Sequence, residues 1–150
     1  MLTCRDIRPE DREIVIPMVE QFYTTDAVDH PVPYKTLSRA FDDVADPAQP
    51  LVWGVLMYEG EELVGYCYLA LSYSCEVGGS CIWVEELFIR EEFRGKGYGR
   101  LAMERLAAEY PNCRRFRLEV TQSNQRAVKL YQACGFEALK YDQMVLDRNI

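Results

Sequence analysis

The chain has 150 residues, 49% of them hydrophobic and 27% charged, with a formal net charge of −7. That length suits a single domain spanning residues 1–150, and the apolar share is enough to bury a core without disulfides or a structural metal. The acidic balance argues against non-specific nucleic-acid binding. No apolar run approaches the roughly 20 residues of a membrane span, and the early charges leave no signal-peptide segment, so a cytoplasmic protein is expected.

In chain order, Ile14, Met18, Val19 and Phe22 recur at helical spacing and predict a first helix over 11–23. A loop over 24–33 and a short helix over 34–44 follow, ended by Asp46-Pro47, since proline cannot continue a helix. Apolar runs at 51–58, 63–73 and 80–90 are separated by the turn Glu59-Gly60-Glu61-Glu62 and by Gly78-Gly79, which predicts three antiparallel neighbouring strands. The period then changes. Ala102, Met103, Leu106, Ala107 and Tyr110 mark a helical face stopped by Pro111, and residues 115–121 alternate as a strand. A helix over 124–134 closes on Gly135, and strands are expected over 136–141 and 143–146. The sum is an α/β chain with a mixed sheet and helices on both faces.

Cys4, Cys67, Cys75, Cys81, Cys113 and Cys134 form no Cys-x-x-Cys pair, and His30 is the one imidazole. Reduced structural thiols, with no metal site, are therefore expected. Residues 1–50 carry ten acids against five bases, while residues 94–129 carry nine bases against three acids. Such asymmetry suggests two ligands of opposite sign.

Arg94-Gly95-Lys96-Gly97-Tyr98-Gly99 stands between an apolar strand and an amphipathic helix. Successive glycines let backbone N–H groups converge, a helix N-terminus adds partial positive charge, and Arg94, Lys96 and Arg100 supply counter-charge, so the turn suits a pyrophosphate. It lacks the Ser or Thr of a nucleotide-hydrolysing loop and comes too late in the chain for a dinucleotide fold.

These segments resemble the GNAT superfamily of N-acetyltransferases. Arg94, Gly97 and Gly99 match its Arg/Gln-x-x-Gly-x-Gly/Ala signature; Ile82 to Ile89 looks like its central strand; Asn124, Ala127 and Tyr131, with Gly135-Phe136 after them, look like its second motif. The resemblance covers residues 80–136 and implies a three-layer α-β-α fold, with six to seven mostly antiparallel strands, about four helices and two central strands splayed apart. It implies acetyl-CoA as co-substrate and no metal. Pantetheine would pair with the backbone of Leu87, Phe88 and Ile89, the pyrophosphate would sit on residues 94–100, and Asn124 would touch the same arm.

Acetyl transfer to an amine needs a base, an oxyanion donor and an acid near sulfur. The resemblance puts Glu85 first and Glu86 second as base, while strand alternation turns the two side chains to opposite faces unless a β-bulge intervenes. Tyr131 is the candidate acid by the same resemblance, against a plain reading as part of an apolar helical stripe. Asn124 also reads as a helix N-cap. The oxyanion would meet a backbone N–H near Phe88, and His30 reads as surface or substrate wall.

The expected activity is N-acetyl transfer from acetyl-CoA to a primary amine, by direct attack in a ternary complex. The acidic first third favours a small cationic amine: a polyamine, a diamino acid or an aminoglycoside-like amine. A peptide or protein amine, and a non-catalytic acyl-CoA-binding module, remain alternatives. The expected partner is that small molecule, with no nucleic acid or membrane and with a homodimer left open.

Overall fold

A computed structural model describes residues 1–148. Five strands form one sheet in the order β1-β2-β3-β4-β5: β1 Leu2–Asp6, β2 Val52–Glu59, β3 Glu62–Ser74, β4 Gly79–Ile89 and β5 Arg115–Leu118. All neighbours are antiparallel except β4 and β5. Helices α1 (Arg12–Phe22) and α2 (Tyr34–Ala45) cover one face, and α3 (Tyr98–Glu109) and α4 (Gln125–Ala133) cover the other. No helix among the described residues is long and apolar enough to cross a membrane.

The fold class and the four helices agree with the sequence reading; the strand count differs. Leu2–Asp6, for which the sequence predicts no element, form β1 against β2. The strands expected over 136–141 and 143–146 are not formed: Met144, Val145 and Leu146 are almost fully exposed and find no neighbouring strand. An extended segment without a partner leaves its N–H and C=O groups to water, so apolar content alone does not make a strand. The strand expected over 115–121 stops at Leu118. In α1 the buried residues are Val15, Ile16, Met18, Val19 and Phe22, while Ile14 is exposed.

Two registers decide where the site lies. In β3, Met57 faces Gly65 and Tyr58 faces Leu63, so Val64 is an extra residue. In β4, Tyr68 faces Glu86 and Leu69 faces Val84, so Glu85 is an extra residue. Strand side chains alternate, and one inserted residue switches the face of all that follow. Ile82 and Val84 accordingly pack beneath α3 and α4, whereas Phe88 packs beneath α1 and α2. The parallel pairing of β4 with β5 runs from Cys81–Arg115 to Val84–Leu118 and ends at that bulge. From Glu86 to Ile89, β4 keeps its β3 partner and has no β5 partner, which is the expected splay.

Gly65 is needed at the point where β3 and β4 approach most closely. A Cβ there would lie 1.9 Å from the Phe88 carbonyl oxygen, a backbone atom that cannot step aside. Gly65→Ala is expected to destabilise the protein by about 2 kcal/mol or more, read as a lower urea midpoint with an unchanged slope.

Candidate active site

The glycine turn builds one end of the site. Gly95 and Gly97 have φ of 74° and 86°, in the left-handed region that side chains disfavour, and Gly97 is the N-cap of α3. Leu101 makes a backbone bond to the Gly97 carbonyl at 3.1 Å, so the N–H groups just before it have no intrahelical acceptor and point out of the helix end. Arg126 brings its guanidinium to 3.4 Å from where a Gly95 Cβ would lie. Arg100 stands on α3 in an ion pair with Glu104 at 2.9 Å. Converging N–H donors, a helix N-terminus and these cations fit a pyrophosphate.

The splayed edge of β4 continues from this turn. Arg90 donates its N–H to the Val64 carbonyl at 2.8 Å, and the Phe88 carbonyl lies against Gly65, so both residues address β3. By alternation, Leu87 and Ile89 turn their N–H and C=O groups to the side that β5 has left. The Ile89 carbonyl accepts a hydrogen bond from Arg94 Nε at 2.8 Å, and the Arg94 guanidinium lies 5.3 Å from the Phe88 ring centroid.

A groove of about 1030 Å³ runs along this edge, from the glycine turn to the loop between α1 and α2. It is lined by Glu85, Leu87, Phe88, Ile89, Arg94, Gly95, Gly97, Tyr98, Gly99, Arg100, Asn124 and Tyr131, all expected from sequence. Lys96 is not among them; its ammonium sits 5.6 Å from the Phe93 ring centroid. Asn124 caps α4 by accepting the Ala127 N–H at 3.2 Å. Tyr131 packs edge-on against Phe136, with centroids 5.8 Å apart, and burial pushes its phenol up to about 12. The other end of the groove is acidic: Asp26, Asp29, Glu85 and Glu119 line it, with His30 exposed beside Asp29. Thr121 ties this end together by donating its hydroxyl to the Asp26 carbonyl at 2.6 Å.

The bulge separates the acidic pair. Glu85 faces the groove, and burial followed by repulsion from Glu119 raises its carboxyl above the ordinary range. Glu86 turns under α1 and α2 and is 7% exposed. Its Oε1 accepts from the Tyr66 hydroxyl and its Oε2 from the Tyr23 hydroxyl, each at 2.8 Å. Burial pushes the Glu86 carboxyl up to about 7, with Glu85 adding to the rise and the two hydroxyls opposing it. The sequence reading named neither tyrosine. Tyr66 and Tyr68 alternate within a strand that pairs with the acidic one, a visible signal, but the register that aims Tyr66 at Glu86 was not.

Comparison with known proteins assigns the family. Residues 16–136 match the model of the Acetyltransferase (GNAT) family. The chain belongs to that family. It is 34% identical over 87 residues to a spermine/spermidine N(1)-acetyltransferase of Bacillus subtilis (strain 168), covering 55% of this chain and 57% of that protein. It is 35% identical over 83 residues to a thialysine N-epsilon-acetyltransferase of Bos taurus, covering 54% and 48%. The chain thus spans about half the length of these curated relatives. Among solved structures, an integron cassette protein from a salt-marsh metagenome has a TM-score of 0.74 at 26% identity, covering 98% of this chain and 90% of that one. The aminoglycoside enzyme AAC(6')-Iy, in complex with a bisubstrate analogue of CoA, has a TM-score of 0.76 at 14% identity, covering 99% of both chains; that likeness carries the fold alone.

A carboxyl raised by burial has a stability consequence. Its folded-state value lies above its unfolded one, so the fold is most stable with Glu86 protonated and loses that stability as pH rises from about 4.5 to about 7. The loss is roughly 3 kcal/mol at full ionisation. Glu86→Gln should therefore raise the melting temperature by several degrees at pH 8, with the gap to wild type closing near pH 5, as thermal denaturation across that range would read.

Proposed function

We propose that the protein transfers an acetyl group from acetyl-CoA to a primary amine of a small cationic molecule, by direct attack in a ternary complex. The observation that carries this reading is one continuous groove, with a pyrophosphate-type cradle at one end and an acid-lined wall at the other. The family's relatives acting on spermine, spermidine and thialysine support the same substrate class.

Each end has a stated task. N–H groups at the start of α3, with Arg94, Arg100 and Arg126, hold the pyrophosphate, and the open backbone of Leu87 and the Ile89 N–H pair with the pantetheine arm as an added strand would. A backbone N–H on the same edge meets the thioester oxygen as negative charge develops on it. Glu85 and Glu119 repel one another across the acidic end, and an ammonium between them removes that repulsion. The buried carboxyl of Glu86 takes the amine's proton.

The magnitudes favour Glu86 over an ordinary carboxylate as proton acceptor. An alkylamine near 10.4 facing a carboxylate near 4.3 is about 8 kcal/mol uphill, whereas an acceptor raised to about 7 leaves about 5 kcal/mol. For Tyr131 they point the other way. A phenol near 12 facing a thiol near 8.5 would lose about 5 kcal/mol by full proton transfer, so Tyr131 hydrogen-bonds the departing thiolate and keeps its proton. The thiolate is then protonated by the second proton of the attacking nitrogen.

Thiol release from acetyl-CoA with a panel of polyamines, diamino acids, aminoglycosides and monoamines tests the reading. Multivalent cations should turn over fastest, with rates falling as salt screens the acidic wall. Binding of CoA with no turnover on any amine would favour a non-catalytic acyl-CoA module instead. Because Glu86 must be ionised to act, kcat/KM should fall about tenfold per unit below an apparent pKa near 7. Tyr131→Phe should lower kcat about 10- to 100-fold, the usual worth of one hydrogen bond to a charged group, with CoA affinity nearly intact. Unchanged turnover would remove Tyr131 from the reaction.

A further inference from the structure

Glu86 has the position of a proton store but no opening onto the groove. The residues lining the groove include Glu85 and Tyr23 and do not include Glu86. The Tyr23 hydroxyl spans the gap: it belongs to a groove-lining residue at the end of α1 and donates to Glu86 Oε2 at 2.8 Å. Tyr66, which holds the other carboxylate oxygen at the same distance, is fully buried in the sheet and reaches no part of the groove.

Building on the acetyltransferase reading above, we propose that Tyr23 is a catalytic proton relay, its hydroxyl passing the substrate ammonium's proton to the buried Glu86 carboxylate. The exchange is balanced. One N–H bond of the ammonium breaks and its proton bonds to Tyr23 Oη, while the O–H bond that Tyr23 had donated breaks and that proton bonds to Glu86 Oε2. The products are a neutral amine, an unchanged phenol and a neutral carboxylic acid, and the stored proton returns to solvent by the reverse path after acetyl transfer. Tyr23 carries no net charge before or after. That suits a phenol which burial, together with the neighbouring Glu86 and Glu85, raises far above its ordinary range.

The titration of Glu86 is shaped by Tyr66 on β3, Tyr23 at the end of α1 and Glu85 beside it on β4, while Tyr68 and Cys67 of β3 face it and are themselves raised by its charge. Losing either hydrogen-bonding hydroxyl raises the Glu86 carboxyl, so a pH shift alone does not single out Tyr23. Route and support separate differently. Tyr23→Phe removes the route and one hydrogen bond; Tyr66→Phe removes one hydrogen bond and leaves the route.

The test compares kcat/KM against pH for wild type, Tyr23→Phe and Tyr66→Phe, on two diamines. One diamine is ordinary, and the other is fluorinated beside the reacting nitrogen so that this amine is already mostly neutral at the assay pH. Both variants should move the acid limb upward on the ordinary diamine. Tyr23→Phe should also lower its high-pH plateau at least thirtyfold more than Tyr66→Phe does. On the fluorinated diamine, which has little proton to give away, the extra loss in Tyr23→Phe should shrink to within about threefold. Retained turnover on that substrate also shows that the variant is folded. An equal loss on both diamines, or a plateau matching that of Tyr66→Phe, would overturn the relay while leaving the acetyltransferase reading intact. Wild-type protein inactive on every amine would overturn both.

Discussion

The arrangement of the whole site depends on one residue too many in β4. Had β4 paired with β3 without interruption, Ile82, Val84, Glu86 and Phe88 would share one face, and Glu86 would lie with the apolar side chains under α3 and α4. The bulge at Glu85 breaks the series. It keeps Ile82 and Val84 on that side, sends Glu86 and Phe88 to the other, and coincides with the last residue pair that β4 shares with β5. A bulge increases local twist, and a strand that twists away from its parallel neighbour exposes the backbone it no longer shares. Groove, open edge and buried carboxyl therefore have a common origin.

The buried carboxyl is held by a balance rather than by a salt bridge. No cation accompanies Glu86; two phenols do. Neutral donors stabilise the ionised form enough to keep it accessible, and burial destabilises it enough to keep it basic. A guanidinium in place of either tyrosine would pull the carboxyl well down its scale and leave it ionised through the neutral range. The contrast is present in the same molecule. Asp11 at the start of α1 is also shielded from solvent, though with less protein around it, and the Arg5 guanidinium bonds both its oxygens at 2.7 and 2.8 Å and holds its carboxyl below the ordinary range.

The glycine turn, the Asn124 cap and the position of Tyr131 were legible in the sequence because each is a local pattern: spacing, capping chemistry or one residue in a short motif. The hairpins around Gly60 and Gly78 were legible for the same reason. What escaped depends on contacts distant in sequence. Tyr23 meets Glu86 across 63 residues and Tyr66 meets it across 20. No local rule brings them together, because one inserted residue changes which side chains meet. The possibility of a bulge at the acidic pair could be foreseen; its consequence, Glu85 in the groove and Glu86 behind it, needed the register. The terminal segment failed in the other direction. Residues 136–146 look like strand material by composition, but a strand is defined by its neighbour, and β5 is paired on one side only among the described residues.

The Thr121 hydroxyl bonded to the Asp26 carbonyl joins two segments 95 residues apart. Asp26 belongs to the acidic wall, and three residues after Thr121 the chain reaches Asn124, the cap of α4, whose first turn holds Arg126. The acidic wall and the helix that carries Arg126 therefore hang from the same short stretch of chain. A displacement of either is felt by the other without any motion of the sheet between them. A substitution within residues 24–33 that moves the Asp26 carbonyl would thus be expected to disturb the start of α4 as well. The loop over residues 24–33 and the start of α4 are tied to each other by one hydrogen bond that bypasses the sheet.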